Sequence, residues 1–211
     1  MINRRTFGTV SLAGLASLLA ACSSTSAPQR WYRLPSEPPA GEAAPRAAAG
    51  ATVAALWELA PALPMPELLS RDTLLVEEGA AGIRLLHGHR WAEPLRDALP
   101  RLLRHDLALF VPGLWTGPTG PAAPNMPVGG RVQVELLALQ GSLSRRQVSV
   151  AARWVVTTGV STEPGTRASP RSYRIDDTVP WTDASVESLV VAQRLAMWRL
   201  AQRIAASLQG S

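Results

Sequence analysis

A single domain of the α/β class, with one mixed β-sheet packed by two main helices, is predicted by three features of this 211-residue sequence. Short runs rich in alternating apolar and polar residues, bounded by Gly and Pro, occur in both halves of the chain and read as strands. Two longer stretches carry Leu, Val and Ile at helical spacing, so each presents one apolar face to a sheet. The composition, 46% hydrophobic and 18% charged, belongs to a globular protein with a real core. Strands separated by one helix, with a second helix closing the chain, argue for one sheet covered by helices rather than for two domains.

Residues 1–21 have the three parts of an export signal: Arg4 and Arg5, an apolar stretch from Phe7 to Leu19, and small residues before the cut. Leu18-Leu19-Ala20-Ala21-Cys22-Ser23 resembles the lipobox of bacterial lipoproteins, in which the cysteine becomes the acylated N-terminus, and Cys22 is the sole cysteine. One acyl chain binds a bilayer reversibly whereas two or more hold, so the three chains that this resemblance implies would tether the domain permanently. Ser23, in place of Asp, points to the outer membrane within that resemblance. Arg4-Arg5-Thr6-Phe7 is also similar to a twin-arginine signal, and a generic basic start explains it nearly as well. No other stretch is long and apolar enough to span a bilayer.

The elements follow in order. Residues 22–50, rich in Ser, Ala, Pro and Gly, read as a tether with only Trp31, Tyr32 and Leu34 to bury, and residues 51–211 as the domain. Val53 to Leu59 reads as a strand stopped by Pro61, Pro64 and Pro66. Strands at Thr73–Glu77 and Ile83–His87 form a hairpin across Gly79 and Gly82. A helix opens at Glu93-Pro94 and runs to about Leu109, with Leu95, Leu99, Leu102 and Leu103 on its buried face. Pro112 to Gly130, with five prolines and five glycines, reads as a loop. Arg131–Leu139 and Gln147–Thr157 make a second hairpin over a turn at Gln140–Arg146, and Ser172–Asp177 forms a short strand. The last helix spans about Asp183 to Leu208, lined by Val186, Leu189, Val190, Met197, Leu200, Ile204 and Leu208, with Arg194, Arg199 and Arg203 between them.

Composition also excludes functions. All 21 basic residues are Arg, so a P-loop lysine and Schiff-base chemistry are absent. Without Arg4 and Arg5, 19 basic residues stand against 16 acidic ones, a spread excess of +3 that gives no support for nucleic-acid binding. A lone cysteine allows no internal disulfide. His87-Gly88-His89 places two imidazoles on one face of a strand, with His105 the only other histidine, and a polar strand end entering a turn explains the pair better than a metal site. Neither Gly141-Ser142 nor Gly159-Val160-Ser161 completes a nucleophile elbow, and Asp176 and Asp177, being adjacent, point to opposite strand faces. No catalytic residue, metal or cofactor is expected. Leu114, Trp115 and Met126, apolar residues in a proline-rich loop, are candidate contacts to a partner unless the loop folds back over its own core.

Arg90-Trp91-Ala92-Glu93-Pro94-Leu95 is the most specific string in the chain. With Trp31-Tyr32-Arg33-Leu34, Leu63-Pro64, Leu68-Leu69-Ser70-Arg71 and Arg131-Val132-Gln133-Val134-Glu135 in that order, it resembles the PqiC-like auxiliary lipoproteins of ABC transport systems. The resemblance implies a three-layer sandwich with a mixed sheet. It implies an outer-membrane lipoprotein facing the periplasm, without enzymatic activity, serving a transporter whose MCE-domain protein spans the periplasm and moves phospholipid in support of membrane integrity. Homo-oligomerisation is left open. The string itself has a structural account: Trp91 packs beneath the helix start, Glu93 satisfies free amides, and Pro94 fixes the entry. A lipid carrier with an internal cavity and a periplasmic hydrolase are the rival expectations.

Overall fold

The structure, a computed structural model, describes residues 28–42, 56–115, 128–159 and 169–209. Eight strands form one mixed sheet: β1 (Arg30–Tyr32), β2 (Leu56–Leu59), β3 (Thr73–Glu78), β4 (Gly82–Trp91), β5 (Leu114–Trp115), β6 (Val128–Ser142), β7 (Gln147–Thr158) and β8 (Ser169–Pro180). Two helices, α1 (Leu95–Phe110) and α2 (Val186–Gln209), cover it, and a 3-10 turn spans Glu67–Ser70. The predicted class therefore holds: mixed α/β, with a sheet that stays open.

The longest strand, β6, is the spine. Along one edge it pairs antiparallel with β7, from Gly130↔Thr158 to Ser142↔Gln147, and β7 pairs antiparallel with β8. Its other edge is shared, β2 running parallel to its start (Leu59↔Val132) and β3 parallel to its end (Val76↔Gly141). Outside these lie β5 beside β2, and β4 then β1 beside β3.

Period-2 patterning fixes which face is buried. Val132, Val134 and Leu136 of β6 and Val148, Val150, Ala152, Trp154 and Val156 of β7 are buried under the helices. Arg131, Gln133, Arg153, Arg174 and Asp176, at the alternate positions, are exposed. Both helices lie on the first of these faces, where Leu99, Leu103 and Leu107 of α1 and Leu189, Met197, Leu200 and Ile204 of α2 join one core with the sheet residues. The third layer that the resemblance implied is not present among the described residues. Gly141 faces α2 so closely that a Cβ there would stand 2.5 Å from Leu189 Cδ1, which is how the helix comes down on the strand.

Several boundaries differ from those read in the sequence. The hairpin turn is only Leu143–Arg146, because Gln140–Ser142 remain paired with β7. β8 runs for 12 residues, although it is mostly polar, because it is paired along its whole length with β7. The loop expected from Pro112 has a strand at each end: Leu114–Trp115 is β5, and Val128–Gly130 begins β6. The expected tether contributes to the domain: Arg30–Tyr32 is β1, Leu34 is 7% exposed, and Pro39 is buried. Cys22 lies outside the described residues.

Helix α2 starts at Val186, three residues later than predicted. Ser185 is its cap, accepting a 3.1 Å hydrogen bond from the Ser188 amide, while Asp183 accepts from the Ser185 amide at 2.7 Å and from Ser188 Oγ at 2.6 Å. These donors hold the Asp183 carboxyl well below the usual range, at about 2.

Candidate interaction surfaces

The family string forms the corner where β4 enters α1. Trp91, 5% exposed, donates its amide to Asp72 O at 2.7 Å, and Ala92 donates its amide to Tyr32 O at 2.7 Å, so the corner is stitched both to the turn before β3 and to the end of β1. Pro94, at φ −58, stands just outside α1, and its carbonyl accepts from the amides of Asp97 and Ala98. Glu93 does not cap the helix as expected. Its carboxylate pairs with Arg101 instead, and no side chain caps α1. Arg90 pairs with Asp72, and Leu95 is 3% exposed. Every residue of the string thus has a structural task, Ala92 through its backbone amide.

Gly88 sits at φ +77 inside β4, a left-handed conformation that glycine adopts without strain. Strand β4 therefore carries a bulge between its two paired halves, and no turn forms at Gly88 as the sequence suggested. His89 Nδ1 lies 2.8 Å from Tyr32 Oη, which is also 3.4 Å from Glu187 Oε1. Burial and the nearby Glu187 carboxylate raise the Tyr32 pKa. His87 is exposed, and no group of three His, Cys, Asp or Glu side chains able to hold a metal occurs among the described residues.

Sequence reasoning missed the most tightly built polar cluster. Arg194, read as an arginine between apolar positions, is 2% exposed and grips Asp106, 0% exposed, with two hydrogen bonds of 2.7 and 2.8 Å. Its Nη2 also donates to the carbonyls of Glu37 at 3.0 Å and Ser36 at 3.4 Å, and its guanidinium lies 5.3 Å over the Trp198 ring. Burial pushes the Asp106 carboxyl upward, while Arg194 and His105, 3.5 Å away, pull the other way. The only signal in the sequence was Arg194 between the buried positions Val190 and Met197 of α2, on the face that meets α1. The cluster straps the chain's first described segment across both helices.

On the open face, a shallow groove of about 530 Å³ lies between Ala60–Pro64 and the middle of β6, β7 and β8. Gln133, Glu135, Arg153 and Ser172 line it, and Arg153 Nε donates to Glu135 at 2.6 Å. Asp177 faces the helix side, 3.6 Å from Arg199, and Asp176 the open side, 3.8 Å from Arg174, so the two carboxylates do not converge. Of the predicted partner contacts, Leu114 is half-buried against the core, Trp115 is opposite Glu58 in the β2–β5 register, and Met126 lies outside the described residues.

These features define a one-domain mixed α/β protein in which, among the described residues, helices roof one sheet face and leave the other open. The chain belongs to the ABC-type transport auxiliary lipoprotein component family, whose model matches residues 32–205. It is similar in structure to an uncharacterised protein, with a TM-score of 0.61 at 13% identity over 86% of this chain and 99% of that one, which bears on fold alone. Weaker likenesses are to protein XCC0632 from Xanthomonas campestris, a DUF330 protein (TM-score 0.49, 11% identity, 72% and 82% covered), and to hypothetical protein CT253 from Chlamydia trachomatis (0.49, 13%, 74% and 97%). No curated protein matches significantly.

Proposed function

We propose that this lipoprotein is a non-catalytic docking subunit that fixes the far end of an MCE-type lipid-transport assembly to the periplasmic face of the outer membrane. The observation that carries the reading is the family match over residues 32–205, which ties the chain to ABC-type transport as an auxiliary component. The lipobox-like Cys22 and the following Ser23 supply the anchor and its address. The sheet face away from the helices, the outer edge of β8, which pairs with no second strand among the described residues, and the short edge strand β5 supply surfaces on which a partner can add main-chain or side-chain contacts.

Packing favours docking over carriage. Between sheet and helices, the gap lined by Trp91, Leu139 and Leu189 and the gap lined by Leu59, Leu103 and Val134 are each about 10 Å³, against the several hundred that a bound lipid tail requires. The roomier groove opens outward.

Crosslinking in intact envelopes followed by affinity capture of the tethered protein is the test. Recovery of an MCE-domain protein supports the docking reading, and repeated absence of one under efficient crosslinking removes it. Ester and glycan substrates incubated with the purified domain should remain unhydrolysed; turnover above background would return the hydrolase.

A further inference from the structure

We infer that the open face of the β1–β4–β3 corner rests on the headgroup layer of the membrane that holds the anchor, and that this contact sets the domain's orientation. The inference rests on the reading of Cys22 as acylated. Among the described residues the large hydrophobics left exposed are Trp31 (59%), Ile83 (44%), Leu85 (40%) and Val191 (57%). The first three share one face. Trp31 is in register with Arg90, Arg90 with Thr73, Leu85 with Leu75, and Ile83 with Glu77. Thr73, Leu75 and Glu77 alternate with Leu74 and Val76, which are 1% and 0% exposed beneath the helices. Trp31, Leu85 and Ile83 therefore stand in successive rows on the side away from α1 and α2, over the buried Leu75.

Chain length selects the occupant. Trp31 is nine residues from Cys22, and nine residues reach at most about 32 Å when fully extended. The corner carrying the patch is the part of the domain bound most closely to the bilayer, and a short tether gives even a weak contact a high effective concentration. The side chains suit an interface. Tryptophan seats at headgroup depth, with its ring in the apolar boundary and its N–H in the wet layer, and Leu and Ile add apolar area beside it. The rim carries ion pairs, Arg90 with Asp72 and Arg145 with Glu77 at 2.7 Å. The exposed Trp, Leu and Ile side chains carry the contact, so it depends weakly on salt, unlike a polybasic patch.

The test uses the lipidated mature chain in vesicles of phosphatidylethanolamine and phosphatidylglycerol. Trp31→Cys, Leu85→Cys and Val191→Cys variants each carry an environment-sensitive fluorophore, Cys22 being blocked by its own lipid. Emission from positions 31 and 85 should shift to the blue, while position 191, exposed on the helix side, should stay as in solution. The shift should persist when salt rises from about 0.1 M to 1 M, over which screening shortens from about 10 Å to 3 Å. Ile83→Cys replaces either patch variant that circular dichroism shows to be misfolded. Vesicle-bound protein without a shift at 31 and 85, an equal shift at all three positions, or a shift that needs an added MCE-domain protein overturns the inference. Mass spectrometry finding Cys22 bare overturns the anchored reading separately, and removes the tether argument with it.

Discussion

Arg194 and Asp106 show what one buried ion pair does in a fold built mostly from apolar packing. Removing two charges from water costs several kcal/mol, and the two-pronged geometry with the Ser36 and Glu37 carbonyls offsets much of that cost. Truncating one partner leaves the other charge stranded. Asp106→Ala should destabilise the domain by about 3–5 kcal/mol, read by urea unfolding, whereas replacing both residues with apolar ones of similar volume should recover much of the loss. A loss from Asp106→Ala below about 1 kcal/mol would show that the pair contributes little.

Asp183 makes an opposite case at the surface. Its folded pKa, about 2, lies below the ordinary carboxylate value near 3.8, because Ser185 and Ser188 donate to its charged form. A depressed carboxylate contributes stability above its unfolded pKa and loses it as pH falls through the folded one. The stability difference between the protein and Asp183→Asn should therefore be constant above about pH 4 and shrink between about pH 4 and pH 2. Acid titration followed by circular dichroism of both proteins gives the comparison, and a gap that is flat across that window contradicts the assignment.

At the scale of elements, the sequence disclosed what periodicity encodes and concealed what pairing decides. The leucines of α1 and the hairpins β3–β4 and β6–β7 were legible because apolar spacing specifies them locally. The polar strand β8 was legible only in part, since its hydrogen bonds to β7 set its length. In sequence, strand β1 and the 28–42 strap look like tether, because three strand residues and a few apolar contacts leave almost no local pattern. The Arg194 cluster was hidden for a related reason: Asp106 is 88 residues away in the chain, and no spacing rule connects them. The start of α2 illustrates a finer miss. Asp183 and Ser185 both suit a cap, and only the bond from Ser188 N to Ser185 Oγ decides between them. Ser185→Ala should accordingly cost about 1 kcal/mol, within the usual range of about 0.5–2 for a lost cap. Thermal melting would show it, and an unchanged midpoint would move the capping role to Asp183.

For the whole molecule, the consequential point is that the domain begins before the proline- and alanine-rich segment rather than after it. Residues 28–42 add β1 to the sheet edge, bury Leu34 at 7% exposure, and present the Ser36 and Glu37 carbonyls to Arg194. Glu42 reaches on to Gln202 of α2, so the strap crosses the whole helical layer. Whatever load a membrane anchor places on the N-terminus then enters the fold through the sheet edge and the buried ion pair, not through a free linker. A chain trimmed to start at residue 51 loses the Leu34 contact, by itself worth about 2–5 kcal/mol. It also leaves Arg194 short of two acceptors. With about 2–4 °C per kcal/mol for a domain of this size, its melting midpoint should fall by about 10 °C or more below that of a chain starting at Ser23. Leu34→Ala in the longer chain isolates the packing share, and replacing Arg194 and Asp106 together by apolar residues of similar volume removes the polar contacts to the strap without stranding a charge. Equal midpoints for the trimmed and longer chains would return residues 28–42 to the role of a spacer.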